Sequence, residues 1–138
     1  MTEFAPRTFD EMIAAGGYDL VRPDVNPTAF PLDPDKFSSH GLQIFGYTTA
    51  VDIQRIVAEI TRCGLRMALP EQLLAYLASH PDAHKEYAVT ALGALGCDQR
   101  RPPCVLRVGR DAARRILETR PFAGPLETSE RVLVYHPE

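Results

Sequence analysis

The sequence lacks the motifs that mark several common kinds of catalytic site. It contains no G-x-S-x-G nucleophile elbow, no Walker-type glycine loop and no H-E-x-x-H metal helix. The stretch LGALG has two glycines but no third glycine and no helix opening behind them, so it is not a dinucleotide-binding fingerprint. We therefore expect no catalytic residues, and we interpret these glycines as a strand bulge or a point of close packing.

Long apolar runs are also missing. No window approaches the 18 consecutive apolar residues of a membrane helix, and the N-terminus MTEFAPRTFDEM has no basic stretch followed by an apolar one. The three cysteines are an odd number, which is typical of reduced thiols rather than of a disulfide framework. These absences predict a cytoplasmic protein that does not bind a membrane.

The spacing of cysteines and histidines does not indicate a metal site. Cys97 and Cys104 are separated by six residues, more than the two to four of common zinc knuckles. His80 and His84 are four apart, but Pro81 lies between them and prevents one continuous helix. We expect no metal and no cofactor.

The composition is that of an ordinary globular domain. The chain has 138 residues, of which 45% are hydrophobic and 24% charged, and this length predicts a single domain over 1–138. The net charge of −3 argues against a dedicated nucleic-acid binder, since such domains carry a large basic excess.

The first half of the chain predicts helices around a proline-rich arm. Residues 1–17 form an N-terminal helix, with Thr8 and Glu11 spaced as a capping box. Residues 18–36 contain four prolines and predict an extended arm on the surface. Residues 49–80 predict a helical hairpin whose first helix opens at Thr49 and whose second helix starts at Pro70.

The regular second helix, in GLRMALPEQLLAYLASHP, raises the question of a DNA-reading helix-turn-helix. The connection CGLRMAL is too long for that motif, and the predicted exposed side shows Glu71, Gln72, Ala75 and Ser79. Glu71 has the wrong sign for phosphates. We therefore expect this helix to pack against a sheet.

The second half of the chain predicts mainly strands over 86–138. The stretches AVTALGALG, CVLRVG and RVLVYH are β-branched or alternating, and turn residues bound each of them. Residues 112–119 fit either a strand or a helix. Together with a short strand at 42–47, the pattern predicts an α+β fold: an antiparallel sheet of about four to five strands, with two to three helices packed on one face.

Arginines concentrate in one segment of this second half. Residues 98–120 hold seven arginines against three acidic residues. Such a segment is either a patch for a partner's carboxylates or phosphates, or a sheet face paired internally with Asp and Glu. The candidate partner-binding residues are Arg100, Arg101, Arg107, Arg110, Arg114 and Arg115.

The middle of the chain resembles a family of small uncharacterised proteins from bacteria and their phages. The resemblance lies in Gly64-Leu65-Arg66, Leu73-Leu74-Ala75, His80-Pro81 and Ala91-Leu92-Gly93, which share the spacing of that family without a gap. Met67 stands where the family usually has proline. No activity is known for the family, so the resemblance implies a packing unit of a helix followed by a strand and assigns no catalytic residue.

Three hypotheses about function remain at this point. The first is a small non-catalytic protein-interaction or regulatory module with an unidentified protein partner. The second is a nucleic-acid-binding module that uses the arginines of 100–120, and the third is an enzyme of unknown class. Neither the oligomeric state nor the partner follows from the sequence.

Overall fold

The computed structural model describes residues 6–83, 87–96, 103–111 and 114–136. Over these residues the chain forms three α-helices, a single 3-10 helix at Pro34–Lys36 and nine strands. In chain order they are α1 (Phe9–Ala14), β1 (Leu20–Val21), β2 (Leu42–Phe45), β3 (Val51–Asp52), α2 (Ile53–Arg62), β4 (Arg66–Met67), α3 (Pro70–Ser79), β5 (Ala88–Gly96), β6 (Cys104–Asp111), β7 (Arg114–Pro121), β8 (Pro125–Leu126) and β9 (Glu130–Tyr135).

The main sheet is mixed and has seven strands within the described residues. Its order is β1-β7-β6-β5-β9-β2, and β4 pairs with β9 as the seventh strand. The prediction of an antiparallel sheet of four to five strands is wrong, because β1 runs parallel to β7 and β5 runs parallel to β9. Strands of two residues, such as β1 and β4, are too short to leave an alternating pattern in the sequence.

The ambiguous segment forms a strand over its described part. β7 pairs with β6 along its whole length, from Cys104 opposite Pro121 to Asp111 opposite Arg114. Residues 112 and 113 lie outside the described residues. Of the two predictions for this segment, the strand is therefore confirmed from Arg114 onward. The reason is the long antiparallel pairing with β6.

Helices cover both faces of the sheet rather than one. Leu106 and Leu117 belong to the core beneath α1, α3 and the arm, whereas Val105 and Val132 belong to the core beneath α2. Successive strand residues point to opposite faces, so each central strand supplies both cores. The expected helical hairpin against one face does not form. Between α2 and α3 the chain forms β4, which pairs with β9, and the two helices therefore lie on opposite faces of the sheet.

Helix α2 forms where its isoleucines recur at helical spacing. Asp52, rather than Thr49, is the N-cap, and its carboxylate accepts from the Gln54 N–H at 3.1 Å. Ile53, Ile56 and Ile60 are buried. Each buried isoleucine contributes roughly 1.5–3 kcal/mol, so these three residues fix the helix on its face of the sheet.

The proline-rich arm lies over α3. Residues that the sequence pattern assigned to the exposed side of this helix are buried there. Glu71 and Ala75 are both buried, and the Glu71 Oε2 accepts from the Asp33 N–H at 2.9 Å. Phe30 of the arm is buried in the same core. A helical periodicity records apolar positions alone, so it does not reveal a polar side chain that a distant segment covers.

A close backbone contact occurs where the end of β4 meets β5. The Gly93 N–H donates to the Ala68 carbonyl at 2.8 Å, and a Cβ at position 93 would lie 2.5 Å from that oxygen and from the Met67 oxygen. The register of β5 against β6 also shifts between Ala91 and Gly96. The interpretation of Gly93 as a point of bulging and close packing is confirmed.

We expect Gly93→Ala to destabilise the fold by at least about 2 kcal/mol, since the added methyl group would force two backbone segments apart. Gly46→Ala is the matched control, because its Cβ would meet only the flexible end of the Arg131 side chain. Urea unfolding of both variants tests the prediction. Equal midpoints would show that β4 and β5 can separate at little cost.

Candidate functional site

The arginines of the 100–120 segment whose side chains the structure describes do not lie on one surface. Arg107 lies opposite Glu118, on the face of the sheet that α2 partly covers, whereas Arg115 points to the opposite face. Arg114 is exposed at the start of β7. Arg100 and Arg101 lie outside the described residues, and only the backbone of Arg110 is described. The strand alternation therefore divides the segment between two faces.

Four charged side chains form what we call the ion cluster: Arg107, Glu118, Arg120 and Glu130. The Arg107 guanidinium donates from Nε to Glu118 Oε2 at 2.9 Å and from Nη1 to Glu130 Oε2 at 2.9 Å, and its Nη2 also pairs with Glu118. Arg120 Nη1 donates to both oxygens of Glu130, at 3.0 and 2.8 Å. Two cations and two anions thus neutralise one another.

The ion cluster is partly buried, which strengthens its pairing. Only 9% of the Arg120 side chain and 7% of the Glu130 side chain are exposed, against 26% for Arg107. Burial would by itself lower the pKa of Arg107, but its hydrogen bonds and ion pairs with Glu118 and Glu130 raise that pKa above its ordinary value. The guanidinium is therefore permanently charged and committed to the two carboxylates.

A glycine makes room for the ion cluster. A Cβ on Gly109 would lie 2.4 Å from the Glu118 Oε2, so a larger residue there would displace the carboxylate. Sequence reasoning missed Gly109 and Glu130 as members of this site. The sequence does contain one indication of the site. Charged residues occupy alternate positions of β6 and β7, and an acidic residue lies opposite Arg107.

A polar cleft of about 360 Å³ opens beside the ion cluster. It is bordered by Arg107, Glu118 and Glu130, and by the exposed residues Glu127 and Ser129. The Glu127 N–H already donates to Glu130 Oε1 at 3.1 Å. Because the two central carboxylates accept several hydrogen bonds each, the arrangement connects β6, β7 and β9.

Arg115 caps a helix from a distant strand. Its Nη1 donates to the His80 carbonyl at 3.1 Å and its Nη2 donates to the Leu77 carbonyl, which also accepts from the His80 N–H, so the guanidinium binds the carbonyls at the C-terminus of α3. Its backbone N–H donates to Asp19 Oδ2 at 2.7 Å. Arg115 is 97% buried by this packing, with 3% of its surface exposed.

Tyr18 lies against the same guanidinium. Its ring centroid is 5.2 Å from the Arg115 Cζ, and within the described residues its buried hydroxyl has no hydrogen-bond partner. Burial raises the pKa of Tyr18 well above its usual value, and the charge of Arg115 offsets this only in part. The phenol therefore stays neutral in the folded protein.

A larger and more open cleft, which we call the β4 cleft, is bordered by α2, by β4 and by Leu92 and Gly93 of β5. Its volume is about 580 Å³, within the range of sites that hold small ligands or short peptides. Its lining comes from α2, from the turn and strand that follow it, and from the facing strands: Val57, Thr61, Gly64, Leu65, Arg66, Met67, Leu69, Leu92, Gly93 and Tyr135. Arg66 is exposed and, within the part of the chain that the structure describes, forms no ion pair.

The residues considered as metal ligands are not brought together. Cys63 is exposed and Cys104 is half-buried, while Cys97 and His84 lie outside the described residues. The His80 ring is stacked on Tyr76, with ring centroids 4.1 Å apart, and its Nδ1 lies 2.8 Å from the Tyr76 carbonyl. Among the residues with described positions, no group of three His, Cys, Asp or Glu side chains could hold a metal ion.

Comparison with known proteins does not assign a function. No protein-family model, no curated protein and no solved structure matches this chain. Across the described ranges, no helix combines the length and the apolarity that crossing a bilayer requires. The function must therefore be argued from the two clefts and the side chains that border them.

We expect Glu130→Gln to lower the free energy of unfolding by about 3 kcal/mol, because it leaves the buried Arg120 and the half-buried Arg107 short of an anion. Glu127→Gln is the control, since only the backbone of this exposed residue bonds the ion cluster. It should cost less than about 0.5 kcal/mol. Urea titration measures both, and equal effects would mean that the ion cluster does not hold the strands.

Tyr18→Phe should reduce the loss of stability at alkaline pH. The unfolded tyrosine ionises near pH 10 while the folded one stays neutral, so the stability that burial contributes is present below pH 10 and declines above it. From pH 9 to pH 11 the wild-type chain should lose about 1 kcal/mol more than the variant. Parallel stability profiles over this range would contradict the assignment.

Proposed function

We propose that this chain is a non-catalytic protein-interaction module, and that it binds its partner at the β4 cleft. The observation that carries the proposal is an open cleft that combines apolar walls with an exposed arginine that forms no ion pair within the described residues. Leu65, Met67 and Leu92 supply the apolar part, and Arg66 supplies the charge. Interfaces commonly place an arginine beside apolar contacts in this way.

The arginine-rich segment supports the proposal less directly than expected from the sequence. Arg107 and Arg120 are bonded to glutamates, and Arg115 is bonded to carbonyls of α3. A phosphate backbone would have to compete with these bonds, so the geometry gives no support to nucleic-acid binding through the same side chains. A role in partner binding stays a prediction for Arg100, Arg101, Arg110 and Arg114.

Membership in the family of small bacterial and phage proteins also stays a prediction. Several residues of that resemblance border the β4 cleft, among them Gly64, Leu65, Arg66 and Gly93. If the resemblance is sound, the shared pattern describes the walls of this cleft as well as a packing unit. This supports a binding role for the cleft without assigning a partner.

Site-specific photocrosslinking in the native host tests the proposed function. A photoreactive amino acid replaces Thr61, an exposed cleft residue of α2, and in a separate variant it replaces Gln54, an exposed α2 residue outside the lining. We expect one protein to crosslink from position 61 and not from position 54. That protein, once identified and purified, should bind the wild-type chain in calorimetry and bind Thr61→Trp at least tenfold more weakly.

Two results would overturn the proposal. The first is the absence of any position-specific protein adduct from position 61, with intact folding shown by the circular dichroism spectrum. The second is equal affinity of the purified partner for the wild-type chain and for Thr61→Trp. Adducts with DNA or RNA alone would favour the nucleic-acid alternative instead.

A further inference from the structure

We propose that two copies of this chain associate through the open edge of β2, with the two β2 strands paired antiparallel across a two-fold axis at Gln43. The pairing continues the main sheet of one copy into that of the other. It uses no residue from the lining of the β4 cleft, so the cleft stays open to a different partner. Three features of the edge support this pairing: unpaired backbone groups, an uncharged sequence and a pattern that matches itself.

The first feature is an unpaired edge. β2 is the last strand of the main sheet, and it pairs with β9 from Leu42 opposite Tyr135 to Phe45 opposite Val132. Within the described residues, no strand lies on its other side, and no hydrogen bond reaches the backbone groups there. A strand of another chain could therefore pair with this edge without displacing a neighbour.

The bonds of β9 show how the backbone of β2 is oriented. The Leu133 carbonyl accepts from the Ala68 N–H at 2.9 Å, so Leu133 directs its backbone groups toward β4. The next residue, Val134, directs its groups to the opposite side of β9, where its partner is Gln43. Gln43 is therefore in a hydrogen-bonded pair, with its N–H and C=O inside the sheet.

The residues that alternate with Gln43 have the reverse orientation. Phe45, two residues along, also bonds β9, whereas Leu42 and Ile44 direct their N–H and C=O groups to the open edge. Backbone groups are strong donors and acceptors that favour a hydrogen-bonded partner. The edge thus presents two donors and two acceptors in the spacing of an antiparallel ladder.

The second feature is the lack of any device that blocks edge pairing. Charged side chains, prolines and very short strands are the usual means by which proteins protect sheet edges. Residues 37–51 contain no Asp, Glu, Lys, Arg or Pro. The other edge strand, β1, is two residues long and is followed by Arg22 and Pro23. The β2 edge, unlike the β1 edge, is therefore suited to pairing.

The third feature is a pattern that two-fold rotation preserves, which points to a second copy as the occupant. An axis at Gln43 places Leu42 opposite Ile44 of the second copy, and the reverse. Each such pair exchanges two hydrogen bonds, so the two pairs satisfy all the outward groups of Leu42 and Ile44. Gln43 then lies opposite its own copy, where the two side-chain amides can donate to and accept from each other. A two-fold contact closes after two subunits.

The same pairing covers apolar surface beside the edge. Leu42, Ile44 and Phe45 are half-buried in the single chain, while Gln43 is exposed. A strand added at the ladder spacing of about 4.8 Å contacts the outer sides of these three apolar side chains. The association therefore gains apolar burial together with backbone hydrogen bonds.

Sedimentation velocity of the full chain from about 5 to about 500 µM tests the proposal, since an interface of one short strand is weak. We expect the wild-type chain to show a monomer–dimer equilibrium. Gln43→Lys and Gln43→Glu should each weaken dimerisation at least tenfold, because like charges meet directly across the axis. Gln54→Lys is the matched control, with the same change at an exposed position of α2, and should alter dimerisation less than about twofold. Circular dichroism confirms that each variant is folded.

An equimolar mixture of Gln43→Lys and Gln43→Glu separates a two-fold axis at this position from a general effect of charge. In the mixed dimer the lysine lies opposite the glutamate, so dimers should form again, and added salt should weaken them. Amide hydrogen exchange tests the backbone pairing. Leu42 and Ile44 should exchange more slowly in the concentrated wild-type chain than in Gln43→Lys, whereas Phe45, which bonds β9, should exchange equally slowly in both.

The proposal is overturned if the wild-type chain stays monomeric over this range, if Gln43→Lys and Gln54→Lys change dimerisation equally, or if the mixture stays monomeric. A dimer in which Leu42 and Ile44 exchange as fast as in the monomer would show association through another surface, and would also overturn it. The crosslink from Thr61 tests the β4 cleft separately, and its outcome does not depend on these results.

Discussion

The contact between Gly93 and Ala68 is the constraint on which much of the structure depends. Because no Cβ intervenes at position 93, the Gly93 N–H reaches the Ala68 carbonyl at 2.8 Å and holds β4 between β5 and β9. β4 in turn carries the chain from α2 on one face to α3 on the other. The same contact closes one end of the β4 cleft, so the packing of both layers and the candidate site have a common origin.

Electrostatic interactions have a structural role in this fold that the charge distribution alone does not reveal. Glu130 accepts from Arg107, from Arg120 and from the Glu127 backbone, and it thereby connects three strands of the sheet. Arg115 stabilises the C-terminus of α3 by binding its carbonyls. These guanidinium groups are used internally, whereas Arg66 is exposed and forms no ion pair in the part of the chain that the structure describes, so it is the more informative cation for binding.

Local features were predictable to the extent that they depend on neighbouring residues. The Thr8 cap was predicted, and its Oγ1 accepts from the Glu11 N–H at 3.1 Å. The isoleucine stripe of α2 and the close packing at Gly93 were predicted as well. The mixed sheet was not, because the parallel pairs join Leu20 to Ile116 and Ala88 to Glu130. Sequence spacing contains no information about which distant strands become neighbours.

The sequence by itself indicated the approximate positions of the helices and of the long strands β5, β6 and β9, since periodicity and capping act within a few residues. Only the tertiary structure decided which face each helix covers and which charges are paired. Glu71 illustrates the difference: its helical position indicated exposure, yet the arm buries it and donates a hydrogen bond to its carboxylate. The β4 cleft is likewise bordered by segments far apart in sequence, from α2 to Tyr135, and its shape depends on packing that no local pattern encodes.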